Sequence, residues 1–199
     1  MKRALSICGI VLCSLPGAGC VDSRPIHYYT IETPAAAVAP ATPSGPSILV
    51  GNISAPPELQ DGRIRYRVGA NEVGAYEFHR WTEQPGAMIS ESLVRTLRGS
   101  GKYRSVMEAG SEAAGDYILR GRLFEFDEVD RETIQTSISL RVYLVDEKTK
   151  RIVWEDLVKH DDPVGSKNVQ AVVASLDRNL QAVVKETAEG IGRFLAAQQ

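Results

Sequence analysis

The apolar positions change period along the chain, and the changes mark its elements. From 134 to 144, Ile134, Thr136, Ile138, Leu140, Val142 and Leu144 alternate with Gln135, Ser137, Ser139, Arg141 and Tyr143. This period of two predicts a strand packed on one face and wet on the other. Residues 63–68 alternate as well, with Ile64, Tyr66 and Val68 on one face and Arg63, Arg65 and Arg67 on the other. Gly69 to Glu72 reads as a turn, and Val73 to Phe78 as the returning hairpin strand, ending near Trp81. Within 116–129, Tyr117, Leu119, Gly121 and Leu123 share a face, but Phe124 and Phe126 fall out of phase with them. A slip of one position predicts a β-bulge between Gly121 and Phe124. After a polar turn at 146–150, residues 151–159 return, so 116–160 makes a three-stranded meander. Shorter strands are predicted at 47–53, stopped by Pro56-Pro57, and at 103–107.

Two stretches carry the helical period instead. Pro85 suits a first helical turn. Behind it Ile89, Leu93 and Leu97 lie four apart, with Gly99 and Gly101 as the stop. The longer helix spans 168–197, with Val169, Val172, Val173, Leu176, Leu180, Val183, Thr187, Ile191 and Leu195 at steps of three or four. Gly190 and Gly192 predict bending or fraying near its end. Trp81 and Trp154 read as core or edge-of-core residues.

The beginning of the chain has a different character. Lys2-Arg3 precedes an apolar run from Ala4 to Leu15, then Pro16-Gly17-Ala18-Gly19-Cys20. The run is shorter than the roughly 20 residues a membrane span needs. It reads as a bacterial signal peptide covering 1–19. Small residues before Cys20 suit a lipoprotein cleavage site, after which Cys20 would carry palmitate-type acyl chains. The other reading is an ordinary secretory cut near Ala18 or Gly19. The three cysteines are Cys8, Cys13 and Cys20, so only Cys20 remains and it has no partner for a disulfide. Val21 stands where an inner-membrane retention signal would place Asp, which favours the periplasmic face of the outer membrane over the inner one.

Residues 20–25 form a short lipid-anchored tether, and 26–199 a single domain. His27-Tyr28-Tyr29-Thr30-Ile31 has strand composition. Residues 32–46 hold four prolines and five alanines and read as an extended loop. Two readings stand here. The Tyr28-Tyr29 segment is the domain's first strand, or everything up to Pro46 is a stalk.

Losing Lys2 and Arg3 from 23 basic residues, against 25 acidic ones, moves the net charge from −2 to −4. That excludes a general nucleic-acid binder. No catalytic constellation and no cofactor-binding or phosphate-cradling loop is present, so the chain reads as non-enzymatic. His27, His79 and His160 lack metal-ligand spacing. The row Arg63, Arg65 and Arg67 is a candidate contact for lipid head groups or an acidic partner. Its bland counterpart is a solvated face paired with Glu72 or Glu77 across the hairpin. Tyr28 and Tyr29 are candidates for touching the membrane or a neighbouring subunit, and equally for the core.

Several segments together resemble a known family. They are Cys20 followed by His27-Tyr28-Tyr29-Thr30-Ile31, Ile48-Leu49-Val50, Pro57-Glu58-Leu59 with Arg63-Ile64-Arg65-Tyr66-Arg67, Tyr76 to Pro85, Asp116 to Gly121, and Val153-Trp154. In this order they resemble the ABC-type transport auxiliary lipoproteins, which accompany MCE-type (mammalian-cell-entry) lipid transport systems of Gram-negative envelopes. Gln60-Asp61-Gly62-Arg63 replaces the family's Asp-Arg run, and the 32–46 loop is longer. The resemblance implies an α+β fold: a mixed, mostly antiparallel sheet with two helices on one face, similar to the N-terminal domain of the Tol-system translocation protein. It implies a lipoprotein that helps move phospholipid alongside an MCE-domain protein and an ABC permease, with self-association a further possibility. The alternative is a structural or assembly lipoprotein that binds envelope proteins without a part in lipid traffic.

Overall fold

A computed structural model describes residues 24–32, 44–110 and 114–198. The signal segment, Cys20, most of the Pro/Ala stretch and part of the loop after 108 lie outside the described residues. Among the described residues eight strands form one mixed sheet. They are β1 (His27–Tyr29), β2 (Ser47–Ser54), β3 (Arg63–Val68), β4 (Glu72–Trp81), β5 (Ser105–Glu108), β6 (Tyr117–Asp130), β7 (Ile134–Asp146) and β8 (Ile152–Pro163). The helices are α1 (Pro85–Gly99) and α2 (Val169–Ala196).

The sheet is built around β6. One edge of β6 pairs antiparallel with β7 along its whole length, and β7 pairs antiparallel with β8, so the expected meander is present. The other edge is shared. Its first half pairs parallel with β2, and its second half pairs parallel with β3. Beyond β2 lies β5, and beyond β3 lie β4 and then β1, the last in parallel register. The predicted slip in β6 is a register shift between Leu123 and Glu125. It turns Phe126 into the core at 1% exposure and leaves Phe124 outside at 44%.

The helices are amphipathic for the reason their spacing predicts. Ile89, Leu93 and Leu97 of α1, with Val172, Leu176, Leu180, Val183 and Ile191 of α2, are fully buried against the alternate inward residues of β2, β6 and β7. Each such side chain stabilises the fold by roughly 1.5–3 kcal/mol relative to exposure. Asn168 caps α2, its Oδ1 accepting from the Ala171 amide at 2.8 Å. A buried polar seam fixes α2 on the sheet: Asn179 donates to the Thr136 carbonyl at 3.1 Å and to its hydroxyl at 2.9 Å, and Thr136 meets Ser175 at 2.7 Å.

Several sequence expectations need correction. The β7 face read as wet is dry at Ser137 and Ser139, which are 2% and 8% exposed. Charged side chains from the neighbouring strands cover them, and Ser137 donates to Glu125 at 2.9 Å. Gly190 and Gly192 do not end α2. The helix runs to Ala196, with Gly190 buried beneath Trp154. The short strand begins at Ser105, two positions later than expected, while Tyr103 packs in the core.

Candidate functional site

Ile64 is fully buried, so its neighbours Arg63, Arg65 and Arg67 point away from the helices onto the opposite face of the sheet. Their carboxylates come chiefly from β6, because Arg65 lies in parallel register with Asp127. Arg67 donates to Asp127 at 2.6 Å and to Glu125 at 3.5 Å. The Arg65 Nε lies 3.4 Å from Asp127 Oδ1 as an ion pair without hydrogen-bond alignment. Lys159 of β8 closes on Glu125 at 3.3 Å. Arg63 pairs instead with Asp61 in the preceding turn, through Nε at 2.8 Å and Nη2 at 2.6 Å.

Burial sets the electrostatics of this network. Asp127 is 2% exposed, and desolvation holds its carboxyl above the usual range against the pull of Arg67. Its hydrogen bond raises the Arg67 guanidinium further. Desolvation works against Glu125 too, but the Ser137 hydroxyl, Lys159 and Arg67 together hold it below the usual range. Two guanidiniums around one buried carboxylate make a structural clamp. Of the three arginines, Arg63 is the most exposed.

Tyr28 and Tyr29 part company in β1. Tyr28 is 62% exposed, whereas Tyr29 packs against the core and its hydroxyl meets His79 Nδ1 at 2.9 Å. His27 stacks on His79 with ring centroids 5.2 Å apart, as their parallel register requires. Tyr76 meets His79 edge-on at 5.8 Å, and its hydroxyl donates to buried Glu128 at 2.6 Å. Burial, then that carboxylate, pushes the Tyr76 phenol well above its ordinary value. Two histidines distant in sequence thus share one aromatic cluster, which only the β1–β4 register reveals. Among the described residues no group of three or more His, Cys, Asp or Glu is placed to hold a metal ion.

At the other end of the sheet an open cleft of about 620 Å³ lies between the end of α2 and the starts of β2 and β6. Arg104 and Asp116 form an ion pair at 2.8 Å beside it. No helix among the described residues is long and apolar enough to cross a membrane. Sequence reasoning missed Asp127, Glu125 and Arg80 as members of the outward face. Charge alone marks them, and their placement depends on strand pairings that local patterning does not reveal.

Comparison with known proteins agrees with this architecture. The crystal structure of XCC0632 from Xanthomonas campestris superposes with a TM-score of 0.73 at 22% identity, covering 86% of this chain and 97% of that one. A crystal structure of an uncharacterized protein superposes with a TM-score of 0.67 at 14% identity, covering 84% and 99%. These similarities establish the fold. No curated protein sequence matches the chain. The sequence profile for the ABC-type transport auxiliary lipoprotein component matches residues 29–188, from the first strand into the last third of α2, and the chain belongs to that family.

Proposed function

We propose that this protein is a non-enzymatic lipoprotein, anchored through acyl chains on Cys20 to the periplasmic face of the outer membrane. There it serves an MCE-domain protein and an ABC permease that move phospholipid across the envelope. Family membership over residues 29–188 is the observation that carries this reading. The leader ending in Gly17-Ala18-Gly19, directly before Cys20, supports the anchor, and Val21 in place of Asp supports the outer membrane. Residues 1–19 act as the signal peptide and 26–199 as the working domain.

Fractionation of a Cys20→Ala variant tests the anchor. The expected result is its release from membranes. Retention equal to that of wild type overturns acylation at Cys20. Crosslinking in intact envelopes, followed by mass spectrometry, tests the partners. Recovery of an MCE-domain protein is expected. Recovery of envelope assembly proteins alone would replace the transport role with a structural one.

A further inference from the structure

The tether leaves the described domain at Arg24, four residues after Cys20, so an acylated Cys20 holds Arg24 within about 14 Å of the bilayer surface. This closeness rests on the anchor reading above. It makes the surface around β1 the part of the domain nearest to lipid. On that surface Tyr28, Arg80 and Arg63 lie in register across β1, β4 and β3. All three point away from the helices, because their neighbours Trp81 and Ile64 are core residues. Ile26 and Tyr28 are 44% and 62% exposed. Arg24 lies over the Phe78 ring at 5.8 Å. Asp61 neutralises Arg63, but among the described residues no carboxylate pairs with Arg24 or Arg80, and the buried Arg80 Nε has no hydrogen-bond partner.

We infer that this patch, Arg24, Ile26, Tyr28, Arg80 and Arg63, is a docking surface for the anionic phospholipid head groups of the anchoring leaflet. It would lay the outward face of the sheet on the membrane and turn α2 toward the periplasm. Three features favour lipid over a protein partner. The chain end delivers the patch to the bilayer. Its unpaired charge is positive. An exposed Tyr beside exposed Ile is the composition that settles at a membrane–water interface. Each unpaired arginine near an anionic surface contributes about fivefold in partition, and the attraction fades with salt.

The test uses the mature chain coupled through its only thiol, Cys20, to a maleimide lipid. The vesicles are phosphatidylcholine, with or without phosphatidylglycerol. Chemical coupling replaces cellular acylation, so failure of the anchor reading in cells does not affect this outcome. Phenylglyoxal modification, read by mass spectrometry, should slow severalfold at Arg24 and Arg80 on the phosphatidylglycerol vesicles and recover at high salt. Arg193 on the exposed side of α2 should react unchanged. In an uncoupled Cys20→Ser chain, adding Arg24→Gln and Arg80→Gln should cut flotation with phosphatidylglycerol vesicles by about fivefold per substitution. Equal reactivity of Arg80 on both vesicle types, or flotation indifferent to the arginines, overturns the inference.

Discussion

The Ser90 hydroxyl accepts the amide proton of Ile53 at 3.1 Å, joining the first turns of α1 to β2 where that strand loses register with β6. The same hydroxyl lies 3.0 Å from the Gly86 carbonyl, one turn earlier. It supplies the acceptor that the irregularity between Val50 and Ile53 denies this buried amide. Ser90→Ala leaves the amide unsatisfied, and a loss of about 1–3 kcal/mol is expected in denaturant unfolding. Gly86→Ala should cost at least as much. A Cβ there would stand 2.3 Å from the Ile53 carbonyl oxygen, and the obstructing atom is backbone. An unchanged midpoint for both variants would refute this account of the junction.

Asp127 and Asp61 should differ sharply when removed. Asp127→Ala strips the buried partner from Arg65 and Arg67, and a cost of about 2–4 kcal/mol is expected. Asp61→Ala breaks an exposed pair at 2.6 Å and should cost about 1 kcal/mol or less. Chemical denaturation of the two variants in parallel decides the matter, and equal losses would contradict the clamp.

The position of each element was readable wherever one face of it is dry. The unbroken alternation at Ile134 to Leu144 marked β7 because Ile138, Leu140, Val142 and Leu144 are fully buried. The slip at Phe124 was readable because a bulge moves apolar residues to the other face. Pairing was a different matter. Glu72 and Glu77 were the partners expected for the arginine row because a hairpin is local. Arg67 meets Asp127 instead, across a parallel ladder joining residues 60 apart in sequence. Nothing in the pattern of either segment specifies that register. The His27–His79 stack was hidden for the same reason.

His79 predicts a pH response. Burial, and then the neighbouring His27, holds its imidazole below the ordinary histidine value. The unfolded chain therefore takes up the proton first. The contribution to stability is complete above about pH 6.5 and is lost as the pH falls toward the folded value. NMR titration should find His79 below that reference, and His27→Gln should move it upward. Around the ring, Tyr29 and Tyr76 supply contacts that do not titrate in this range. A His79 titrating at or above the ordinary value would sink the prediction.

Gly190→Ala tests the seam between α2 and β8. A Cβ at this position would meet Trp154 Cζ2 at 2.8 Å. Alanine recovers about 1 kcal/mol of helix propensity, but overpacking costs about 1–3 kcal/mol. Net destabilisation is expected, with a shift in Trp154 fluorescence. Stabilisation would contradict the tight contact, because the indole would then make room at no cost.

The shared edge of β6 fixes the order in which this chain can assemble. During synthesis β1 to β4 emerge first, yet among them only the β3–β4 hairpin can close locally. β2 can meet β5 beforehand, but its other edge and the free edge of β3 both wait for a segment that begins at Tyr117, and both then line up along the same strand. Closing such long loops comes before any contact rewards it, so folding is expected to be slow and late, with β6 as its template. Until then β2 and its neighbours have open hydrogen-bonding edges, and a chain crossing the cell envelope in that condition needs to be shielded from other chains.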